Sequence, residues 1–387
     1  MINIDHKSKC CGCNACVQRC PKQCILMHED EEGFLYPKVD VTLCIDCGLC
    51  EKVCPVINQD EPKKPMQCYA AINPEEDIRV KSSSGGIFTM IAEHIIDEGG
   101  VVFGAAWNKN WQVEHTYTEV KEGLKIFRSS KYIQSIIGDT FIQTELFLKA
   151  GRKVLFSGTP CQIAGLKKFL CKEYDNLFTV DFVCHGVPSP GVFRWYMREE
   201  LSLYPGYSVK DICFRDKREG WKKFSFSIDL AKADSKEFVT LSQTLYEHPF
   251  LTGFLNNYYL RPSCHRCPAK QFKSGANITL ADYWGYTQSD KIKDDDKGVS
   301  AILVSTKKGD EIFHAIKPTY EIVEYSDILR INGAAEHSVQ DPYREYFYSH
   351  KNMLFKAIIW KLTSEKLFDK VRRKLYLLTH KHEYYKE

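Results

Sequence analysis

The sequence predicts a chain of α+β and α/β class, in which a small cysteine-rich domain precedes a larger mixed α/β domain and a helical C-terminal tail. Three observations support this prediction. Eleven of the seventeen cysteines lie before residue 70. Beyond that point, short apolar runs typical of buried strands alternate with helical patterns. The residues after 340 are rich in lysine, arginine and aromatic side chains at a spacing compatible with a helix.

Length and composition indicate a globular protein with two or three folded units. The chain has 387 residues, 44% of them hydrophobic, and a net charge of +3, which gives no reason to expect a nucleic-acid partner. Residues 1–9 are polar, unlike a secretory signal, and no apolar run is long enough to span a membrane. We therefore expect a cytoplasmic protein, whose cysteines are metal ligands or redox groups because disulfides are rare there.

The domain boundaries follow from composition. Residues 1–57 hold the dense cysteine runs, and the polar segment 58–67, with prolines at both Pro62 and Pro65, is expected to be a linker. The larger domain is divided into 68–150 and 151–340, and the basic tail covers 341–387. This tail is expected either to pack on the core or to contact a membrane surface or a partner.

Local patterns predict the elements around the candidate sites. The segment 25–41, with Gly33, is expected to form a hairpin, and apolar spacing over 87–96 predicts a helix. Buried strands are expected at 100–104, 153–156 and 178–183, with a helix at 162–170 between the last two. Because each strand ends in a loop that contains glycine, we expect the functional site at the strand ends.

Two cysteine runs near the N-terminus share one spacing, Cys-x2-Cys-x2-Cys-x3-Cys-Pro, which matches the bacterial ferredoxin run. In two-cluster ferredoxins the fourth cysteine of each run ligates the other cluster. We therefore predict two 4Fe-4S clusters. The first cysteine set is Cys10, Cys13, Cys16 and Cys54, and the second cysteine set is Cys44, Cys47, Cys50 and Cys20.

Zinc is the alternative metal for these two sets, since it also binds four thiolates, although zinc sites usually show two well-separated cysteine pairs. Cys11 and Cys24 do not fit the ligand spacing and are expected to be packing residues. Two such clusters carry single electrons, so the remainder of the chain is expected to supply an electron acceptor or a docking surface for one.

Four later cysteines follow predicted strands or form a Cys-x2-Cys pair. They are called the third cysteine set: Cys161, Cys184, Cys264 and Cys267. This set could hold a third 4Fe-4S cluster, a structural zinc, or two unrelated buried thiols and a reactive pair. The residues by themselves leave these alternatives open.

Several motifs of the larger domain occur together: Ser84-Gly85-Gly86, Ser130-Lys131-Tyr132, Gly158-Thr159-Pro160-Cys161-Gln162, Cys184-His185-Gly186-Val187-Pro188-Ser189-Pro190, Cys264-x2-Cys267 and Asp282-Tyr283-Trp284-Gly285. In combination they resemble the coenzyme F420 hydrogenase/dehydrogenase beta-subunit family. The resemblance covers about residues 68–333, and a ferredoxin domain fused in front is a familiar arrangement in that family.

The resemblance implies FAD and a third 4Fe-4S cluster, with electrons moving between ferredoxin, or another redox protein, and F420 or another small-molecule acceptor. It also suggests where FAD would bind, because unshielded amides at a helix N-terminus favour an anion such as the pyrophosphate. The candidates are Ser82, Ser83, Ser84, Gly85 and Gly86, with Lys131 and Thr159 as further phosphate or ring contacts. Alternatively, the glycine loop is only a helix cap and turn.

His185 and Asp282 are candidate proton donors to a flavin or substrate, with structural hydrogen bonding as the alternative. The interpretation that unites these patterns is an iron–sulfur flavoprotein oxidoreductase acting on F420 or on a biosynthetic intermediate, for example in polysaccharide biosynthesis. An alternative is a non-catalytic electron-transfer subunit of a larger redox complex. A third interpretation is a scaffold protein that has lost the flavin.

Overall fold

The computed structural model describes residues 1–232, 237–340 and 342–364. The strands are β1 Ile25–Glu29, β2 Leu35–Val39, β3 Gln67–Ile72, β4 Val101–Trp107, β5 Val113–Thr118, β6 Val154–Ser157, β7 Leu177–Phe182, β8 Tyr207–Asp216, β9 Ser225–Lys232, β10 Phe238–Thr244, β11 Ile278–Asp282, β12 Ser300–Val304 and β13 Thr319–Ile322. The helices are α1 Ala15–Gln18, α2 Leu49–Lys52, α3 Glu76–Val80, α4 Ile87–Asp97, α5 Thr140–Lys149, α6 Pro160–Leu170, α7 Pro190–Ser202, α8 Pro249–Leu255, α9 Lys307–Ala315, α10 Tyr325–Ile331 and α11 Arg344–Ser349.

The N-terminal domain is a hairpin flanked by two short helices. Strands β1 and β2 pair antiparallel, from Ile25 opposite Val39 to Glu29 opposite Leu35. Gly33 lies in the connecting turn with φ of +84°, a backbone conformation that side chains other than glycine rarely adopt. Helices α1 and α2 each have one turn and occupy equivalent places in the two cysteine runs. The predicted hairpin is confirmed.

The larger domain is built on an eight-stranded sheet of order β13-β3-β12-β11-β7-β6-β4-β5. Its centre, β4, β6, β7 and β11, is parallel, and the outer strands are antiparallel. Alternate residues face opposite sides. Phe103 and Phe156 belong to the apolar core that includes α5 and α6, whereas Val102 and Leu155 belong to the core that includes α4. The mixed α/β class is confirmed, as are the predicted helix over 87–96 and the three buried strands.

A second, three-stranded antiparallel sheet of order β10-β9-β8 carries the largest apolar cluster. Phe214 of β8 and Phe226 of β9 pack against Phe193 of α7 and Phe250 of α8. Burying an aromatic side chain of this size stabilises the fold by about 1.5–3 kcal/mol. This cluster holds β8 and the loop before α8 against the carboxyl ends of the parallel strands.

Part of the predicted tail belongs to the same core. Residues 355–364 are helical, and Phe355 and Ile358 are fully buried in the cluster around Phe250. The described part of the tail therefore packs on the core, and residues 365–387 lie outside the described residues. Within the described parts of the chain, no helix has the length and apolarity needed to cross a bilayer.

The segment 58–66 contains no helix or strand, as expected for a linker. It nevertheless contacts the larger domain, since Lys168 Nζ lies 2.6 Å from Asp60 Oδ1 and Lys63 N donates to Gln271 O. These contacts tie the linker to α6 and to the loop that follows the third cysteine set.

Candidate functional site

The first cysteine set comes together between α1, α2 and the loop before α1. Burial raises the pKa of Cys16 to about 12, and the neighbouring Cys10, Cys54 and Cys50 add to the shift. Cys13 is buried beside Cys10 and Cys16. These thiols would need a nearby cation before they could ionise, as metal ligands must. The fourth cysteine of one run therefore meets the first three of the other, as two-cluster ferredoxins require.

The second cysteine set lines a separate cavity at the far side of the N-terminal domain. Cys20, Cys44, Cys47 and Cys50 all border it. Cys47 is exposed, and the sulfur of Cys50 accepts a hydrogen bond from Ile2 N at 3.2 Å. This set is the one that lies nearest to solvent.

Cys11 and Cys24 are buried, as expected of packing residues, but each also borders a cysteine set. The sulfur of Cys24 is 3.4 Å from that of Cys20, and both line the cavity of the second set. Cys11 borders the cavity of the third set together with Cys161, and the neighbouring Cys13 thiol, followed by burial, raises its pKa well above the usual value. The ligand spacing missed this role, because the contact joins residues far apart in the chain.

The third cysteine set converges where β6 and β7 end. Thr159 caps α6 in a capping box with Gln162, and Pro160 opens the helix, so that Cys161 stands in its first turn. Cys161, Cys184, Cys264 and Cys267 border one small cavity, together with Cys11. Burial raises the pKa of Cys184, Cys264 and Cys267, whereas the neighbouring Cys11 thiol, followed by burial, raises the pKa of Cys161.

Within residues 1–232, 237–340 and 342–364, no three His, Cys, Asp or Glu side chains converge tightly enough to hold a single metal ion. The cysteines of the second and third sets are arranged around cavities.

The N-terminal domain is joined closely to the larger domain. Gln18 Oε1 accepts hydrogen bonds from the amides of Phe141 and Ile142 in α5. At the hairpin, Arg344 forms a buried ion pair with Glu32, in which Nη1 and Oε1 are 3.0 Å apart. These contacts place the first cysteine set, rather than the second, beside the third.

A large cavity of about 670 Å³ opens beside the third set, which is within the usual size range for small-molecule sites. Residues 181–187 border both cavities and form their common wall. The following predicted site residues line the large cavity: Ser82, Ser83, Ser84, Gly86, Lys131, Thr159, His185 and Asp282.

Gly85 does not line the large cavity. Its amide donates to Ser300 Oγ at 2.9 Å, and a Cβ on it would lie 2.5 Å from the carbonyl oxygen of Ala71. Glycine is needed here because α4 begins tightly against β3 and β12. The prediction that Gly85 contacts a cofactor therefore needs a correction, since its role is packing.

Four cations line the large cavity: Arg128, Lys131, Arg215 and Lys222. Among the described residues, Lys131 Nζ donates only to the carbonyl oxygens of Arg128 and Ser129, and burial lowers the pKa of Lys131 to about 8. Arg215 is 4% exposed, and its Nε has no hydrogen-bond partner among the described residues. An unpartnered buried donor is costly, so both groups favour an anionic or hydrogen-bond-accepting ligand.

Asp282 is fully engaged by neighbours. Arg215 Nη1 lies 2.8 Å from Asp282 Oδ2, and Trp221 Nε1 donates to Oδ1 at 3.1 Å. Trp284 stacks on Trp221 with ring centroids 4.4 Å apart. This arrangement suits a carboxylate that holds Arg215 in place better than one that gives up a proton.

His185 Nε2 is 2.6 Å from Asn257 Oδ1, and burial lowers its pKa. A neutral imidazole with Nε2 protonated donates to that amide oxygen. His185 stands on the wall shared by the two cavities, which leaves it within reach of a ligand in the larger one.

A hydrogen-bond chain that the sequence did not reveal lies under Thr159. His115 Nε2 bonds the carbonyl of Ser157, and its Nδ1 is 3.0 Å from Ser135 Oγ. Ser135 in turn accepts from Gln162 Nε2 at 2.9 Å. Burial lowers the pKa of His115 to about 4, so the ring stays neutral and fixes the loop before α6. No sequence pattern pointed to this role, because His115 is a single histidine on a strand, β5, that also carries polar residues.

Comparison with known families supports the two-part organisation. Residues 9–58 match the 4Fe-4S dicluster domain, and residues 151–327 match the C terminus of the coenzyme F420 hydrogenase/dehydrogenase beta subunit.

Among curated relatives, an uncharacterized protein of Methanocaldococcus jannaschii is 26% identical over 199 residues, 44% of this chain and 55% of that protein. The ferredoxin 7Fe of Hydrogenibacillus schlegelii is 50% identical over 42 residues, 11% of this chain and 47% of that protein. The chain thus spans about half the length of these relatives.

A chain of the solved F420-reducing [NiFe] hydrogenase complex from Methanosarcina barkeri aligns with 19% identity and a TM-score of 0.47, over 74% of this chain and 99% of that one. The family matches show a 4Fe-4S dicluster domain joined to a domain of the F420 hydrogenase beta-subunit type.

Proposed function

We propose that this protein is an iron–sulfur flavoprotein oxidoreductase that takes electrons singly from ferredoxin or another redox protein and passes them to an organic acceptor in the large cavity. One observation carries the proposal: the third cysteine set lies between the dicluster domain and that cavity. Cys11 contacts it on one side, and residues 181–187 form its wall on the other.

The cysteine sets fit three 4Fe-4S clusters. Each set supplies four thiols, the number that a cubane cluster needs. The first and second sets would hold the two clusters of the dicluster domain, and Cys161, Cys184, Cys264 and Cys267 would hold the third. The carbonyl-bound Lys270 Nζ, 2.7 Å from Cys184 O, adds a cation near this last set.

The large cavity fits FAD. Lys131 offers a positive charge bound only to carbonyl oxygens among the described residues, and Arg215, paired with Asp282, offers an unpartnered Nε. Ser82, Ser83 and Ser84 add hydroxyl groups just before α4. When bound, FAD would convert single electrons into the two-electron reduction of an organic molecule. The cavity wall beside FAD would include Gly86 and Thr159, with His115 and its hydrogen-bond partners supporting Thr159.

The protein's own residues would act mainly by holding charged groups and hydrogen-bond donors in fixed places around the bound ring. Asp282 keeps the Arg215 guanidinium fixed at the cavity, and His185 is placed to donate a hydrogen bond or a proton to a bound ring. The apolar side chains that line the cavity, such as Phe254 and Trp284, would exclude water from the reacting atoms.

For the acceptor we propose a chemical class, an anionic molecule. Arg128 and Lys222 also line the cavity, so basic side chains outnumber acidic ones there. An anionic acceptor fits this lining, and coenzyme F420 and a biosynthetic intermediate, as in polysaccharide assembly, are both candidates. We place the reaction in the cytoplasm, where seventeen free cysteines stay reduced.

Counting iron, acid-labile sulfide and flavin in protein purified without oxygen tests the proposal. The oxidoreductase predicts about twelve iron atoms and one FAD per chain. About eight iron atoms without flavin would instead support a subunit that only relays electrons to a partner enzyme. Stoichiometric zinc in the cysteine sets would refute both.

A further inference from the structure

Arg261 physically connects the first and third cysteine sets. The residue is 1% exposed, and its Nε donates to Cys10 O at 2.8 Å. Nη2 donates to Leu35 O at 2.9 Å, and Nη1 donates to Gln134 Oε1 at 2.9 Å. The carbonyl of Arg261 accepts the amide of Cys264 at 2.8 Å. One side chain therefore reaches into the N-terminal domain from the backbone that carries the third set.

The charge of this guanidinium has no carboxylate beside it among the described residues. The other buried arginines differ: Arg79 pairs with Asp295 at 2.6 Å, and Arg215 pairs with Asp282 at 2.8 Å. The partners of Arg261 are neutral oxygens, the ring of Tyr36 at 4.2 Å, and the sulfur of Cys10, 3.6 Å from Nη2. Removing a charge from water costs several kcal/mol unless an opposite charge compensates.

The sulfur of Cys10 is the contact of Arg261 that can become an anion by binding iron. A thiolate at this position would receive both the positive charge and a hydrogen bond from the guanidinium. The sulfurs of the second set have uncharged hydrogen-bond partners. The sulfur of Cys50 accepts a hydrogen bond from a backbone amide, and that of Cys20 contacts the Cys24 thiol. The two halves of the dicluster domain are therefore electrostatically unequal.

We propose that Arg261 is a positioning residue that raises the reduction potential of the cluster held by the first cysteine set above that of the cluster held by the second. This inference rests on the proposed function. A fixed positive charge and a hydrogen bond to sulfur both stabilise the reduced, more negative state of a cluster. The ordering concerns the two N-terminal clusters alone, because the charge of Arg261 also lies near Cys161 and Cys264 of the third set.

The electron balance is simple. A low-potential one-electron donor would reduce the cluster held by the second set, which would be reoxidised as the cluster held by the first set is reduced. A cluster held by the third set would then accept that electron. Each step moves one electron, and no bond is formed or broken.

The test is a redox titration of the full-length, cluster-loaded protein, poised with dithionite and followed by electron paramagnetic resonance. Arg261→Gln should make reduction of one N-terminal cluster at least about tenfold less favourable, a fall of about 59 mV for a one-electron couple. The other N-terminal cluster should keep its potential. Gln134→Met is the matched control, since it removes a hydrogen-bond partner of Arg261 and leaves the charge in place.

A second variant tests the same inference with Arg261 intact. Cys47→Ser should remove the second-set cluster, and the N-terminal signal that remains should be the one of higher potential. Unchanged potentials in Arg261→Gln with full iron content, or a remaining signal of lower potential in Cys47→Ser, would overturn the role of Arg261. Absence of iron and sulfide from the wild-type protein would instead refute the proposed function.

Discussion

Cys11 and Cys161 border the same small cavity, and the neighbouring Cys11 thiol, together with burial, raises the pKa of Cys161. Cys11 lies between two members of the first cysteine set in the chain, and Cys161 belongs to the third set, in the first turn of α6. The contact therefore spans the boundary between the dicluster domain and the larger domain. Cys11 therefore brings the first cysteine run to the cavity of the third set.

Cys161→Ser tests the third cluster. We expect iron to fall from about twelve to about eight atoms per chain, because a cubane cluster that loses one of four thiolates is poorly held. Because Cys11 is close enough to replace Cys161, the double variant with Cys11→Ser is measured beside it. Cys171→Ser is the matched control, as Cys171 is exposed and lines neither the cavity of the second set nor that of the third. Unchanged iron in the double variant would contradict a third cluster ligated by Cys161.

Asp282→Asn should destabilise the fold. Arg215 would keep its charge in a buried place without its carboxylate, and breaking such a pair typically costs about 3–5 kcal/mol. The free energy of unfolding, measured by urea titration, reports this loss. Glu76→Gln serves as control, because its pair with Lys297 is solvent-exposed and such pairs are worth about 0–1 kcal/mol. Equal effects of the two substitutions would show that the Arg215 charge is compensated elsewhere.

His248 should make stability depend on pH. Its Nδ1 accepts the amide of Leu251 at the start of α8, its Nε2 bonds Tyr196 Oη at 2.9 Å, and burial lowers its pKa to about 3. The unfolded chain binds the proton more readily, with a pKa of about 6.5. The contribution of neutral His248 is therefore complete above about pH 6.5 and is lost as the pH falls towards 3.

Between pH 8 and pH 5 this residue should lower the free energy of unfolding by about 2 kcal/mol. His248→Asn keeps an acceptor for the helix start and removes the titrating group, so its stability should change less with pH over the same interval. Parallel pH profiles for the two proteins would exclude His248 as the source.

Gly33→Ala should loosen the N-terminal domain from α7. A Cβ on Gly33 would lie 2.4 Å from Gly191 Cα, and the backbone there cannot move aside without displacing the hairpin. Overpacking of this kind costs about 1–3 kcal/mol. Gly99→Ala is the control, since Gly99 also has a positive φ but a Cβ on it would meet nothing within 4 Å. The two variants should therefore differ in unfolding free energy by the cost of the clash alone.

The cysteine spacing predicted a dicluster domain because ligation by consecutive residues is a local property. Three cysteines within seven positions can surround one cluster without reference to the remainder of the fold. The buried strands β4, β6 and β7 were also predictable, because each contains a short, mainly apolar run of the length typical of a buried strand. The sequence could not distinguish a cofactor contact from a packing role for Gly85, because close approach to a ligand and close packing require glycine for the same steric reason.

The sequence by itself determined the two kinds of domain, the cysteine sets and the strand ends that carry the site, because these depend on residue type and on short spacings. Only the tertiary structure decided which sets are neighbours. Cys11 meets Cys161, Arg261 reaches Cys10, and His115 supports Thr159 through pairings of residues that are far apart in the chain. Such contacts depend on how the sheet, hairpin and helices pack, and the apolar pattern that drives packing does not specify which polar groups will then face one another.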